Sequence, residues 1–165
     1  MITSIKEVTH ADLVKHAAKW LTKRCSVVIT EMVSGDETAD AIGWQGTHTT
    51  LIECKVSRAD FLADAKKPFR KYESMGMGCQ RYYLTPFGLI NRLELPDKWG
   101  LLFYMGGSVK IIHRSDYLEP NRTQESRVLL SALRRTALNA PSGVSVKCYQ
   151  IQTRNSATLG VLPVT

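Results

Sequence analysis

At 165 residues, 44% of them hydrophobic and 22% charged, the chain has the content of one packed domain, and no apolar run nears the ~18–20 residues of a membrane-spanning helix. The first twenty residues, MITSIKEVTHADLVKHAAKW, are interrupted by charges and lack the apolar centre of a secretory signal, so an intracellular protein without a membrane is the expectation. Lys and Arg total 22 against 15 Asp and Glu, a net charge of +7 that suits a polyanionic partner, although many soluble proteins are mildly basic.

The first periodic segment runs from about Thr9 to Lys23. Thr9 can cap it, Asp12 sits in the first turn, and Leu13, Ala17, Trp20 and Leu21 recur at helical spacing. CSVVITEMV is β-branched and reads as a strand, SGDET as a turn, ADAIGW as a second strand, QGTH as another turn, and TTLIECKV as a third strand. Two short connections between three strands predict an antiparallel meander. From Ser57, a good N-cap with Asp60 three residues on, the period turns helical, with Phe61 and Ala65 on one face. Pro68 is expected to end that helix and start another that carries Phe69, Tyr72 and Met75 inward, stopped by Gly76 and Gly78.

QRYYLTP then reads as a strand, and WGLLFYM, Gly106-Gly107 and SVKIIHR as a β-hairpin. Residues 121–138 form a basic amphipathic helix with Val128, Leu129, Leu133 and Ala137 as its stripe. The order predicts an α/β fold: one domain over residues 1–140, a mixed sheet with flanking helices. Residues 141–165 read as a C-terminal extension, with a strand in VSVKCYQIQ and flexible chain beyond.

Chemistry concentrates in TADAIGWQGTHTTLIECKVSRADF. Glu53 and Lys55 are two apart on a strand and share a face, although Leu51, Ile52 and Val56 mark the segment as buried. Buried charges are costly unless paired or bound to metal, so an ion pair, a half-exposed edge strand and a metal site all remain open. A hairpin pairing would bring Asp40 beside Glu53. Two carboxylates and an ammonium on one sheet face suit Mg²⁺ or Mn²⁺, with the lysine positioning or helping to deprotonate water and offsetting transition-state charge. Glu31 falls opposite Asp40 if the preceding strand pairs across Gly35 and Asp36, which makes it the preferred fourth member over Glu7 or Asp12.

The pattern D-x12-E-x-K across two adjacent strands, with helices before and after, resembles the PD-(D/E)XK nuclease superfamily, which includes restriction endonucleases, Holliday-junction resolvases and repair nucleases. ADAIGW, LIECKVSRADFLADAKKP, QRYYLTP and LPDKWGLLFY are similar to small bacterial MmcB-type DNA-repair proteins, a likeness over residues 31–114. The resemblance implies a restriction-endonuclease-like core and a metal-dependent deoxyribonuclease of DNA repair, recombination or phage DNA metabolism. The bacterial or phage-infected cytoplasm is then its place. It implies that Asp40, Glu53 and the Cys54 carbonyl hold Mg²⁺ or Mn²⁺ and that Lys55 orients the attacking water, while Ala39 stands where the superfamily name has proline. It allows a homodimer, since many members pair to cut both strands. A nuclease fold that grips nucleic acid without cutting it is the alternative.

Arg58, Lys66, Lys67, Arg70, Lys71 and Arg81 form a basic collar, expected on helical faces opposite Phe61, Phe69 and Tyr72. It reads either as a solvated face or as a phosphate track, which Arg122, Arg127, Arg134 and Arg135 could extend. Gln80 reads as a strand-end polar residue, though some superfamily branches have a glutamine near the site. Cys25, Cys54, Cys79 and Cys148 form no C-x-x-C pair, which argues for free thiols and against structural zinc. His10, His16, His48 and His113 have no metal-ligand spacing, and Trp20, Trp44 and Trp99 read as core.

Overall fold

Helix α1 (His10–Leu21) starts where Thr9 and Asp12 exchange side-chain and backbone hydrogen bonds in a capping box. The structure, a computed structural model, describes residues 8–33, 37–137 and 146–148. Strands β1 (Val27–Thr30), β2 (Ala41–Gln45) and β3 (His48–Cys54) pair antiparallel, as the two short turns predict. The chain then crosses over through α2 (Arg58–Asp64) and α3 (Pro68–Lys71) to β4 (Gln80–Pro86), which lies parallel to β3.

Strand β5 (Gly100–Tyr104) is parallel to β4 and makes a hairpin with β6 (Val109–His113). Gly106 and Gly107 take φ of 62° and 111° at its turn, the left-handed pair a tight hairpin needs. Helix α4 (Arg122–Ala137) follows, and β7 (Val146–Cys148) pairs with β1. Among the described residues the result is one seven-stranded mixed sheet in the order β6-β5-β4-β3-β2-β1-β7, with helices packed against it. The strand expected in the C-terminal extension thus belongs to the domain's own sheet, while residues 149–165 lie outside the described ones. Among the described residues, no helix is long and apolar enough to cross a membrane.

Alternation along the strands gives the sheet two cores. Leu13, Ala17, Trp20 and Leu21 of α1 pack on Ile52, Cys54 and Tyr82; Phe61 of α2 and Val128 of α4 join Leu51, Tyr83 and Trp99 on the other face. Trp20, Trp44 and Trp99 are all buried, as expected.

Four apolar expectations fail. Tyr72 and Met75 are exposed, because α3 is a single turn that gives way to extended backbone at Tyr72, so helical period does not carry through. Ala65 is exposed and Asp64 takes the inward place beside Phe61. On α4, Leu133 is exposed and the inward face is Gln124, Glu125, Val128 and Ala132; the Ala137 side chain lies outside the described residues.

Candidate active site

The β2–β3 register pairs Ala41 with Ile52, which sets Asp40 against Glu53 one step further, at the carboxyl end of β3. Glu53 shares the α2-side face with Leu51, and its neighbour across β4 is Tyr83. Asp40 is anchored at this edge by two contacts. Its Oδ2 accepts a 2.7 Å hydrogen bond from the Cys54 N–H, and its Oδ1 lies 3.3 Å from His10 Nε2 at the start of α1. The Cys54 side chain points the other way, into the α1-side core.

Beneath this edge lies a buried charged network. Lys55 Nζ donates to Glu53 Oε2 at 3.1 Å and stands 3.4 Å from Asp64 Oδ1. Arg70 Nε donates to Asp64 Oδ2 at 2.6 Å, Arg70 Nη1 donates to Glu37, and Arg70 Nη2 lies 3.1 Å from Glu53 Oε1. Tyr83 Oη donates to Asp64 at 2.7 Å, and the Arg70 guanidinium lies over the Trp99 ring. Glu37 also accepts the Met77 N–H.

Burial pushes the Glu53 carboxyl up to about 7; Arg70 and Lys55 pull it down less than burial, Asp40 and Asp64 raise it. Burial would also raise Asp64, but Arg70, Lys67 and Lys55 outweigh it and hold that carboxyl well below the usual range. For Lys55, burial works against the charge, yet Glu53, Asp64 and Asp40 raise it above the ordinary lysine value. A lysine held cationic is suited to placing a water or stabilising an anion, and not to taking a proton.

The expected residues fare differently. Asp40, Glu53 and Lys55 come together. Glu31 does stand opposite Asp40, its N–H donating to the Asp40 carbonyl at 3.1 Å, but its backbone turns left-handed (φ 50°) and its side chain stays exposed. Asp12 is occupied in the α1 cap and beside Lys15, and Glu7 lies outside the described residues. Among the described residues no three His, Cys, Asp or Glu side chains converge as a metal cage. Mg²⁺ asks less of a protein: one or two carboxylates, with waters and phosphate oxygens completing the shell. Asp40 and Glu53 meet that minimum, and Glu53 Oε1 is a buried oxygen that accepts no hydrogen bond.

The collar needs correction. Arg70 is buried within the network rather than displayed on α3, because three interior carboxylates need a counter-charge. Arg81 is buried too, its guanidinium donating to the carbonyls of Gly78, Glu73, Gly76 and Glu119. Arg58 is exposed but tied to Glu94 and the Leu89 carbonyl, and Lys67 is tied to Asp64. Lys66 and Lys71 are exposed and make no ion pair with a described residue. Arg122 spans Glu125 and the Thr47 carbonyl, and Arg135 reaches the Val33 carbonyl. Gln80 begins β4 and meets His48; three residues before Tyr83, it sits roughly 10 Å from the level of Glu53.

Sequence reasoning missed Asp64, Glu37, Tyr83 and His10. Asp64 was within reach, since it follows Phe61 by three residues and so shares its buried helical face. Tyr83 alternates with the inward residues of β4. Glu37 and His10 carry no local signal; one sits in a polar turn and the other in the first turn of a helix.

No family model matches the chain, and no curated protein matches it. What fold and site define is a single-domain α/β protein with helices on a mixed sheet and a buried charged cluster at the end of a central strand. Among solved structures it is similar to the SPO1766 protein of unknown function from Silicibacter pomeroyi, at 23% identity and a TM-score of 0.62, over 86% of this chain and 97% of that one. Likeness at that identity establishes a shared fold alone.

Proposed function

We propose that this protein is a magnesium-dependent nuclease that hydrolyses phosphodiester bonds in DNA, in the setting of repair, recombination or phage DNA metabolism. The observation that carries the reading is Asp40 set against Glu53 at the end of β3, with the Lys55 ammonium 3.1 Å from Glu53 and one Glu53 oxygen buried without a hydrogen bond. The same three residues carry the resemblance to PD-(D/E)XK nucleases.

Asp40 and Glu53, with the Cys54 backbone carbonyl, would hold the ion. Mg²⁺ supplies Lewis-acid polarisation of the phosphate and a more acidic bound water. Lys55, kept cationic by its carboxylate neighbours, positions the attacking water and offsets charge that builds on the phosphate oxygens. Asp64, Tyr83 and Arg70 act indirectly, by fixing where Lys55 and Glu53 stand.

A second reading is favoured by one observation: Lys55 and Arg70 already lie against Glu53, so the acid is partly neutralised without a metal. On that reading the fold grips nucleic acid and does not cut it. The test is incubation of plasmid and branched oligonucleotides with Mg²⁺, Mn²⁺ or EDTA. Metal-dependent cleavage that Asp40→Ala abolishes supports the nuclease; salt-sensitive binding with no cleavage on any substrate supports the second reading.

A further inference from the structure

We propose that the notch between the end of α1 and the β5–β6 turn seats a phosphate of the nucleic-acid backbone, away from the reacting phosphate. The inference rests on the nucleic-acid reading of the site. The notch is open and has a volume of about 210 Å³. That is space for about seven waters at ~30 Å³ each, enough for a phosphate group.

His16, Lys19, Lys23 and Arg24 line one side of the notch, Gly107, Ser108 and Val109 the other, with Trp20 as the floor. Among the described residues, no carboxylate lines it. Lys19 and Lys23 are four residues apart on adjoining turns, where like charges repel, and neither makes an ion pair with a described residue. Cations near a helix C-terminus complement its dipole, which accounts for exposed lysines. It does not account for Arg24, which is immobilised: its guanidinium lies 3.8 Å from the Trp20 ring centroid, and its Nη1 donates to the Trp20 carbonyl at 3.0 Å. The remaining guanidinium N–H groups are left for an anion, with Ser108 on the opposite side of the notch.

The position fits a strand of nucleic acid that also reaches Asp40 at the carboxyl end of β3. Because β3, β4 and β5 are parallel, the β5–β6 turn stands at the same edge of the sheet as the carboxyl end of β3. Strand β6 is three places from β3 in the sheet order. At ~4.8 Å per strand that is roughly 14 Å along the edge. With a rise of ~3.4 Å per nucleotide, it corresponds to about four nucleotides. The notch opens on the α1 side of the edge, and α1 itself connects it to Asp40 through His10.

The experiment is fluorescence anisotropy of a labelled DNA duplex in EDTA, over a range of salt, for wild type, Arg24→Gln, Lys19→Gln/Lys23→Gln, and Arg114→Gln as a charge-matched control, an exposed arginine just after β6 at the opposite edge of the sheet from the β5–β6 turn. Loss of one phosphate contact lowers the slope of log K against log salt by about 0.9, and lowers affinity about eight-fold at 0.1 M salt. That loss is expected in both notch variants and not in Arg114→Gln. Wild-type slopes in the notch variants, or no binding by the wild type at any salt, overturn the proposal. Wild-type cleavage in Mg²⁺ is scored separately. Cleavage with unchanged slopes removes the notch and leaves the nuclease; notch-dependent binding without cleavage retains the notch and removes hydrolysis.

Discussion

Arg70 Nη2 lies 3.1 Å from Glu53 Oε1, yet that oxygen accepts no hydrogen bond. The contact has the charge of an ion pair without its directional part, since the same guanidinium is committed to Asp64 and Glu37. Four carboxylates, Glu37, Asp40, Glu53 and Asp64, thus gather around two interior cations, Lys55 and Arg70. The negative excess falls on Glu53, which is where a proton or a divalent cation would be most welcome.

Replacing Arg70 by Met should leave Glu37, Asp64 and Glu53 without their shared counter-charge, and a buried pair broken from one side costs about 3–5 kcal/mol. Lys67→Met, which removes a half-exposed partner of the same Asp64, should cost at most about 1 kcal/mol. Urea unfolding of the two variants measures the difference; equal losses would place Arg70 outside the core.

Stability should depend on pH through Glu53. The folded protein keeps the proton up to about 7 while the unfolded chain releases it near 4.5. Folding is therefore favoured by this group below pH 4.5, and the contribution is lost as pH rises through 7, a total of about 3 kcal/mol. Asp64 works in the opposite sense: held below the usual range, it stabilises above its ordinary value and gives that up as pH falls through its lowered one. Urea midpoints from pH 4.5 to 8 should decline for the wild type, and Glu53→Gln should flatten that decline.

The metal reading makes the same proton a competitor. Mg²⁺ should raise the melting temperature at pH 8 and much less at pH 6, where Glu53 is protonated. At a hundred-fold excess over Kd the gain is about 2.7 kcal/mol, or roughly 5–10 °C for a chain of this size. Asp40→Asn and Glu53→Gln should abolish the shift in calorimetry, and no shift at either pH would remove the metal.

Asp40→Ala should abolish cleavage while the fold persists. The cost in stability should be about 1–3 kcal/mol, for the Cys54 N–H left without its acceptor. Circular dichroism and the cleavage assay on one preparation separate the two effects.

Gly43→Ala tests how α1 sits on the sheet. An added Cβ would come 2.7 Å from Cys25 Sγ and 3.3 Å from Leu21 Cδ2, an overpacking expected to cost about 1–3 kcal/mol. Cys25→Ala in the same chain removes the sulfur but keeps the Cys25 Cβ, 2.9 Å from the added methyl, so it should recover only part of the loss; melting of the single and double variants decides.

Features whose physics is local are legible in the residues alone: the Thr9 cap, the antiparallel meander, the break at Pro68, the Gly106-Gly107 hairpin, and the parity that puts Glu53 and Lys55 on one face. Asp40 came with them, because a short hairpin leaves little freedom of register. The company those residues keep is set by how distant segments pack. A one-turn helix such as α3 has no period to say which side faces inward, so nothing local distinguishes a buried Arg70 from an exposed Lys71. The choice falls to the parallel crossover, which sets α2 and α3 over the end of β3. There Glu37, Glu53 and Asp64 arrive from separate segments, and burial in low dielectric draws the guanidinium to them.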